Sequence, residues 1–432
     1  MKKLTTSVTL LSALVSANVF AVDTSLVYHN VDRVDQDNIV IANSDSSAYC
    51  TGTVIGGKWV ITAAHCNQGS SVDGVYQTLS VKKSNIPTEY TEYKAQTENP
   101  DSTGYSSPML DVAVWELDDA LKHSTFAPIS NVTLSDNDLL RLYGFGQTNP
   151  ELNYIEQRTL ANWHYGNWDL ANTPNVEACT IDGATHDDGY CETLDPNMMV
   201  TYEINQGRII DGDSGAALFK DGYMVGILHS LSPYGLQDAG HSYHADSGTT
   251  EGVNVSDIVS SDADLDSMNG SYANRMDYAA TQNFLLDNIN AWNYASWVKV
   301  NSSNAVTVKI QSLHNSTVNL LNTITTTGDA DVDTSTIACF SPEHDNNTAE
   351  HHSADSVQPF DVCSLSVTSN GGEGQILLGD NQVIHVNKWD VDSVDPEEPD
   401  NGGESSGGSS GGSLGVFGLL GLLGLGIARR RK

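Results

Sequence analysis

The chain has 432 residues, with 20 Lys and Arg against 55 Asp and Glu and a formal charge of −35. That length exceeds one ordinary compact domain, so two domains plus processing segments are expected. Hydrophobic residues make up 39% and charged residues 17%, which supplies packed cores and excludes wholesale disorder, while so acidic a surface excludes nucleic acid as a partner. Six of the bases (Lys2, Lys3, Arg429, Arg430, Arg431 and Lys432) sit at the two ends, leaving 14 in the body.

Residues 1–21 read as a secretory signal. Lys2 and Lys3 give the positive start, Leu4 to Val15 is largely apolar, and Val19-Phe20-Ala21 offers a cleavage site. The mature chain would begin near Val22. From there to about residue 299 the chain is β-rich. Strands are expected at Thr53-Val54-Ile55, Trp59-Val60-Ile61-Thr62, Val112-Ala113-Val114-Trp115 and Met224-Val225-Gly226-Ile227-Leu228. Tyr278 to Trp292 is the exception, because Phe284, Leu285, Ile289 and Trp292 recur at helical spacing. Residues 300–390 alternate polar and apolar between Gly and Asn turns, as in 305–310, 316–320 and 375–378. This predicts a small antiparallel β-sandwich.

Residues 391–413 form an acidic, Gly/Ser-rich linker whose composition cannot build a core. Residues 414–432 then combine an apolar run, Leu414 to Ala428, with the basic tail Arg429 to Lys432. As a short helix that run spans roughly 22 Å, less than a ~30 Å hydrocarbon layer, and its basic end would stay cytoplasmic. Gly411-Gly412-Ser413, the glycine-spotted apolar run and the basic tail together resemble the bacterial GlyGly-CTERM sorting signal. The resemblance implies a rhomboid-type sorting protease as a partner, transient membrane attachment through the tail, and a cell-surface or secreted product. An uncleaved tail anchor is the alternative.

Six cysteines, an even number, suit an exported chain. Fifteen connectivities exist, and three sequential pairs are the simplest: Cys50–Cys66, Cys179–Cys191 and Cys339–Cys363. Asp329, Asp331 and Asp333 alternate, as do Asp262, Asp264 and Asp266, but neither run has the glutamate of a calcium loop. His344, Glu350, His351 and His352 lack a fixed ligand frame. Solvated polar loops are the preferred reading of all three, and no metal or other cofactor is expected.

Three segments carry chemistry together. Thr62-Ala63-Ala64-His65-Cys66 follows a strand, Asp111 stands immediately before an apolar strand, and Gly212-Asp213-Ser214-Gly215 precedes Ala216-Ala217-Leu218-Phe219. Singly these are a core histidine, a capping aspartate and a Gly-Ser turn. In one exported chain, in the order His, Asp, Ser, they point to nucleophilic catalysis.

With Tyr143-Gly144-Phe145-Gly146 and the closing helix, residues ~34–299 resemble the chymotrypsin/trypsin family of serine endopeptidases. The resemblance implies an all-β fold for residues 22–299: a chymotrypsin-like double β-barrel with the active site between the barrels. It implies that proteins and peptides are the substrates, cut through an acyl-enzyme. His65 would be the general base, Asp111 its orienting acid and Ser214 the nucleophile, with the Gly212 and Ser214 amides as oxyanion hole. Asp213 would pair with a buried N-terminal ammonium, supplied by Val22 after signal removal or, as runner-up, by cleavage at Arg33-Val34. Asn38-Ile39-Val40-Ile41 lies too close to Cys50 for that role. The specificity pocket is left open among Arg208, which would favour acidic side chains, Asp211, which would favour basic ones, and His229. The rival functions are a catalytically impaired relative that binds proteins through its cleft and an adhesin acting through the sandwich.

Overall fold

The computed structural model describes residues 29–388 apart from 45–48, 67–68, 99–109, 136–137, 147–151, 161–178, 182–183, 187–197, 204–208, 232–269, 301–303, 343–350 and 380. Residues 1–21, Val22, the acid run 262–266, His344, Glu350, the linker and the apolar tail therefore lie outside the described residues. Among those described, no helix is long and apolar enough to cross a membrane.

The fold is mostly β. Six strands close a barrel: β1 (Ile39–Ser44), β2 (Tyr49–Ile55), β3 (Trp59–Thr62), β4 (Gly69–Asp73), β5 (Thr78–Asn85) and, after α1 (Thr88–Glu98), β6 (Ala113–Leu117). Around the barrel the order is β1-β2-β3-β6-β5-β4. Its interior is filled by Val40, Val54, Val60, Val72 and the fully buried Trp115. Gly69 is required beneath that indole, since a Cβ there would fall 2.0 Å from the ring. Helix α1 was not predicted because its sequence, TEYTEYKAQTE, has no apolar stripe. Tyr90 is its buried contribution.

A second set of six strands pairs in a ring: β7 (Leu139–Gly144), β8 (Asn153–Leu160), β9 (Met198–Glu203), β10 (Ala217–Lys220), β11 (Tyr223–Leu231) and β12 (Gly270–Arg275). The order is β7-β8-β9-β12-β11-β10, and β10 pairs back onto β7. A two-residue strand, His29–Asn30, lies along the outer side of β8.

Helix α2 (Ala279–Ile289) buries Thr281, Leu285 and Ile289, residues four apart on one face. The expected helix ran on to Trp292. It stops earlier because Asn290 takes the left-handed conformation (φ 42°), its amide capping the carbonyl of Leu286. Trp292 falls instead in a strand, β13 (Ala291–Tyr294).

Two further sheets follow. One orders β13, β15 (Val306–Leu313), β18 (Val362–Thr368) and β17 (Ala338–Phe340), with His351–His352 at its edge. The other orders β14 (Trp297–Val298), β20 (Gln382–Val386), β19 (Gly374–Gly379) and β16 (Thr325–Gly328), with β14 parallel to β20. Alternate residues of β19 and β20 are buried, and Ile376, Leu378, Ile384 and Val386 join Val308, Ile310, Leu365 and Val367 in one core. Cys339 and Cys363 are bonded within it. The sheets recruit residues 291–298, upstream of the position 300 where alternation begins. Ser316–Leu320, expected as a strand, makes only an isolated bridge at Val318 to Val357 before a turn of 3-10 helix at Leu320–Asn322.

These sheets are not hung on a tether. Leu313 and Phe360 pack into the same cluster as Ile55, Val112 and Val114 of the first barrel, Met224 and Ile227 of the second ring, and Leu285 of α2. The buried Gln311 side chain accepts from Ile129 N (2.8 Å) and donates to the carbonyls of Ile129 (2.6 Å) and Phe360 (3.0 Å). Asn293 likewise bridges outward, accepting from Gly56 N and donating to Ala127 O.

Candidate active site

His65 sits in a single 3-10 turn, Ala64–Cys66, directly after β3. The Cys50–Cys66 disulfide ties that turn back to β2. Asp111 lies just ahead of β6 and is fully buried. Its main chain is gripped on both sides by Asn274 of β12: Asp111 N donates to Asn274 Oδ1 (3.0 Å), and Asn274 Nδ2 donates to Asp111 O (3.3 Å).

Three nitrogens face the Asp111 carboxylate. Oδ1 accepts from the His65 amide (2.8 Å), and Oδ2 faces His65 Nδ1 at 2.7 Å. The same Oδ2 also meets Nδ1 of His229. The two imidazoles stand edge to face, with centroids 5.6 Å apart. Burial pushes the Asp111 carboxyl up, but the two histidines outweigh it and hold its pKa far below the ordinary range. Burial of His65 disfavours its imidazolium, yet the Asp111 charge and hydrogen bond prevail and leave its pKa raised.

Ser214 is half-buried in a turn bounded by two left-handed glycines, Gly212 (φ 99°) and Gly215 (φ 81°). A Cβ on Gly215 would lie 2.2 Å from Thr62 Oγ1 and 2.8 Å from Ala63 N, so only glycine lets this turn press against the end of the strand that leads to His65. Thr51 of β2 fastens the contact. Its amide donates to Ser214 O (2.9 Å), its hydroxyl to Gly212 O (3.0 Å), and its carbonyl accepts from Thr62 Oγ1 (2.8 Å). Neither Thr51 nor Asn274 was legible as a site residue, because each acts through partners more than 150 residues away.

Asp213 accepts from the amides of Gly146 (2.9 Å) and Ile210 (3.0 Å). Burial pushes its pKa up to about 6, against which those two amides pull. The unfolded value is about 3.9, so the folded state holds this proton more tightly and stability falls as pH rises from ~4 to ~6. For a chain whose N-terminus has not been freed, the loss is about 3 kcal/mol. Denaturant unfolding at pH 4 and pH 7 is expected to show it for the native residue and not for Asp213→Asn.

Of the three expected specificity residues, Asp211 is exposed at the start of the turn and Arg208 lies outside the described residues. The sequence leaves His229 open between touching the substrate and merely packing; the structure records its contact with Asp111. The cause is local. Pairing of β11 with β12 slips between Leu228 and Ser230, so His229 is the extra residue of a bulge and its side chain is re-aimed. The Cys50–Cys66 and Cys339–Cys363 bonds are present, and the expected Cys179–Cys191 pair includes Cys191, outside the described residues.

Residues 32–242 match the family model described as Trypsin. They are thus similar to that family. A snake venom serine protease, Dav-KN of Deinagkistrodon acutus, is 26% identical over 192 residues, covering 41% of this chain and 66% of that relative. The chain thus spans just under two thirds of that relative's length. Alpha-fibrinogenase albofibrase of Trimeresurus albolabris is 25% identical over 215 residues, 48% of this chain and 76% of that one. Among solved structures, the Vibrio cholerae VesB protease is 14% identical with a TM-score of 0.35, covering 84% of this chain and 97% of that one. Both His65 and Asp111, and the whole Gly212–Gly215 turn, fall inside the matched trypsin-like segment.

Proposed function

We propose that the protein is an exported serine endopeptidase, with a double-barrel protease built from residues 22–299. The observation that carries this reading is the His65–Asp111 contact, together with the Gly212–Gly215 turn that Thr51 fastens beside Thr62, at the end of the strand leading to His65. A serine hydroxyl is a weak nucleophile at neutral pH and needs a base to take its proton as it attacks. With Nδ1–H donated to Asp111, His65 presents the Nε2 lone pair as that base. The Ser214 oxygen bonds to the scissile carbonyl carbon, the carbonyl oxygen takes the negative charge, and the amides of Gly212 and Ser214 receive it. His65 then gives its proton to the leaving amine, and water repeats the sequence to release the acyl group. Asp111 stays ionised throughout. Its buried charge stabilises the imidazolium at the moment one forms.

The residues 300–390 act in this reading as a sandwich that braces the protease, and the tail 414–432 as a sorting signal. The substrates are proteins or peptides. The test is digestion of a proteome-derived peptide mixture by the wild-type chain and by Ser214→Ala, with the new termini read by mass spectrometry. Cuts made by wild type and absent with Ser214→Ala are expected. A correctly matured protein that makes no cuts would overturn the reading in favour of a binding role for the cleft.

A further inference from the structure

His229 adds something the three-residue mechanism does not use. Two imidazole nitrogens of the same kind, Nδ1 of His65 and Nδ1 of His229, converge on one carboxylate oxygen, the first from the turn after β3 and the second from β11. The three ligand atoms all lie within 4.8 Å of one another. Access is open on the histidine side, where the His65 and His229 side chains are 32% and 20% exposed, while Asp111 forms the closed floor.

We propose that His65, Asp111 and His229 form a reversible binding site for a divalent transition-metal ion of the zinc class, and that filling it switches the enzyme off. The inference rests on the protease reading for its consequence, though not for the binding itself. The donor set chooses the metal. Two neutral imidazoles and one carboxylate suit zinc, whereas calcium and magnesium require shells of oxygen. Three protein ligands at ~2.0–2.2 Å leave a fourth, tetrahedral position for water on the exposed side. Ligand atoms in such a shell stand ~3.3 Å apart, so the 2.7 Å His65–Asp111 contact need open by only about half an ångström. The strongly acidic body of the protein raises the local concentration of any cation.

Inhibition follows from proton bookkeeping on the ring. A neutral imidazole carries one N–H, and coordination through Nδ1 requires a lone pair there, so the proton moves through solvent to Nε2. The metal sheds water molecules, and a neutral ring loses no proton overall. His65 with a protonated Nε2 has nothing to accept the Ser214 proton. The metal also takes the carboxylate oxygen that orients the ring. No residue need be displaced from the fold for both effects to occur.

The test separates binding from hydrolysis. Full-length Ser214→Ala protein is titrated with Zn2+ by calorimetry, and with Co2+ while the visible bands of four-coordinate cobalt are followed. One equivalent is expected at this site. Adding His229→Asn, or independently His65→Asn, should weaken it at least tenfold, with thermal unfolding confirming that each variant is folded. For the wild type, Zn2+ should abolish peptide cleavage at the same concentration that fills the site, and EDTA should restore it. Absence of tight binding to Ser214→Ala, or binding that neither histidine variant weakens, overturns the metal site. A wild-type chain that binds zinc but cleaves nothing even in EDTA leaves the site standing and overturns the protease reading.

Discussion

Asp111→Asn is expected to lower kcat by about four orders of magnitude while leaving KM little changed. The argument is the wiring of that carboxylate. Oδ1 must accept from the His65 amide, so an asparagine at 111 is forced to place its carbonyl oxygen there. Its NH2 then faces Nδ1 of His65, which can meet a donor only by giving up its own proton. The proton goes to Nε2, and the base that Ser214 needs is lost. Because the side chains are isosteric and Asp111 does not touch substrate, binding survives. Steady-state kinetics on a peptide substrate measure both halves, with denaturant unfolding alongside to confirm that the variant is folded. A fall in kcat of less than tenfold would remove Asp111 from the mechanism.

Gln311→Ala carries the second large effect, this time on stability. Its side chain satisfies the amide and carbonyl of Ile129 and the carbonyl of Phe360, all in the buried zone between the trypsin-like segment and the later sheets. Truncation leaves those groups dry and unpaired, at about 1–3 kcal/mol each, so a loss of roughly 3 kcal/mol or more is expected. The loss should appear as one lowered cooperative transition, because Leu313 and Phe360 share their core with both sets of strands. Two separated transitions, with only the second one moved, would show the sheets to be an independent body.

How much of this was legible depends on the distance over which each residue works. His65, Asp111 and Ser214 sit in short segments that point to chemistry only when the three are read together. The strands around Trp59–Thr62 and Ala113–Leu117 announce themselves as short, largely apolar runs, and Gly374–Gly379 by local alternation. Trp292 misled because 285, 289 and 292 keep helical spacing, while the left-handed Asn290 that ends the helix has no periodic signature. Ser316–Leu320 alternates like a strand but finds no continuous partner, and pairing is not a local property. The union of His229 with Asp111 spans 118 residues and depends on a bulge, which no pattern in β11 reveals.

The link between Ile129 and Gln311 spans 182 positions, and it has a bearing on time as well as on strength. A chain emerging amino end first makes His65, Asp111 and Ser214 long before it makes Gln311 or Phe360. Until those last arrivals lock in, the amide of Ile129 and the face around Val112 and Val114, next to Asp111, lack their final cover. Late, long-range closure of this kind is slow. The order of synthesis therefore completes the surroundings of Asp111 only after residues 311 and 360 are out, so that on the protease reading a nascent chain is held inactive by its own incompleteness.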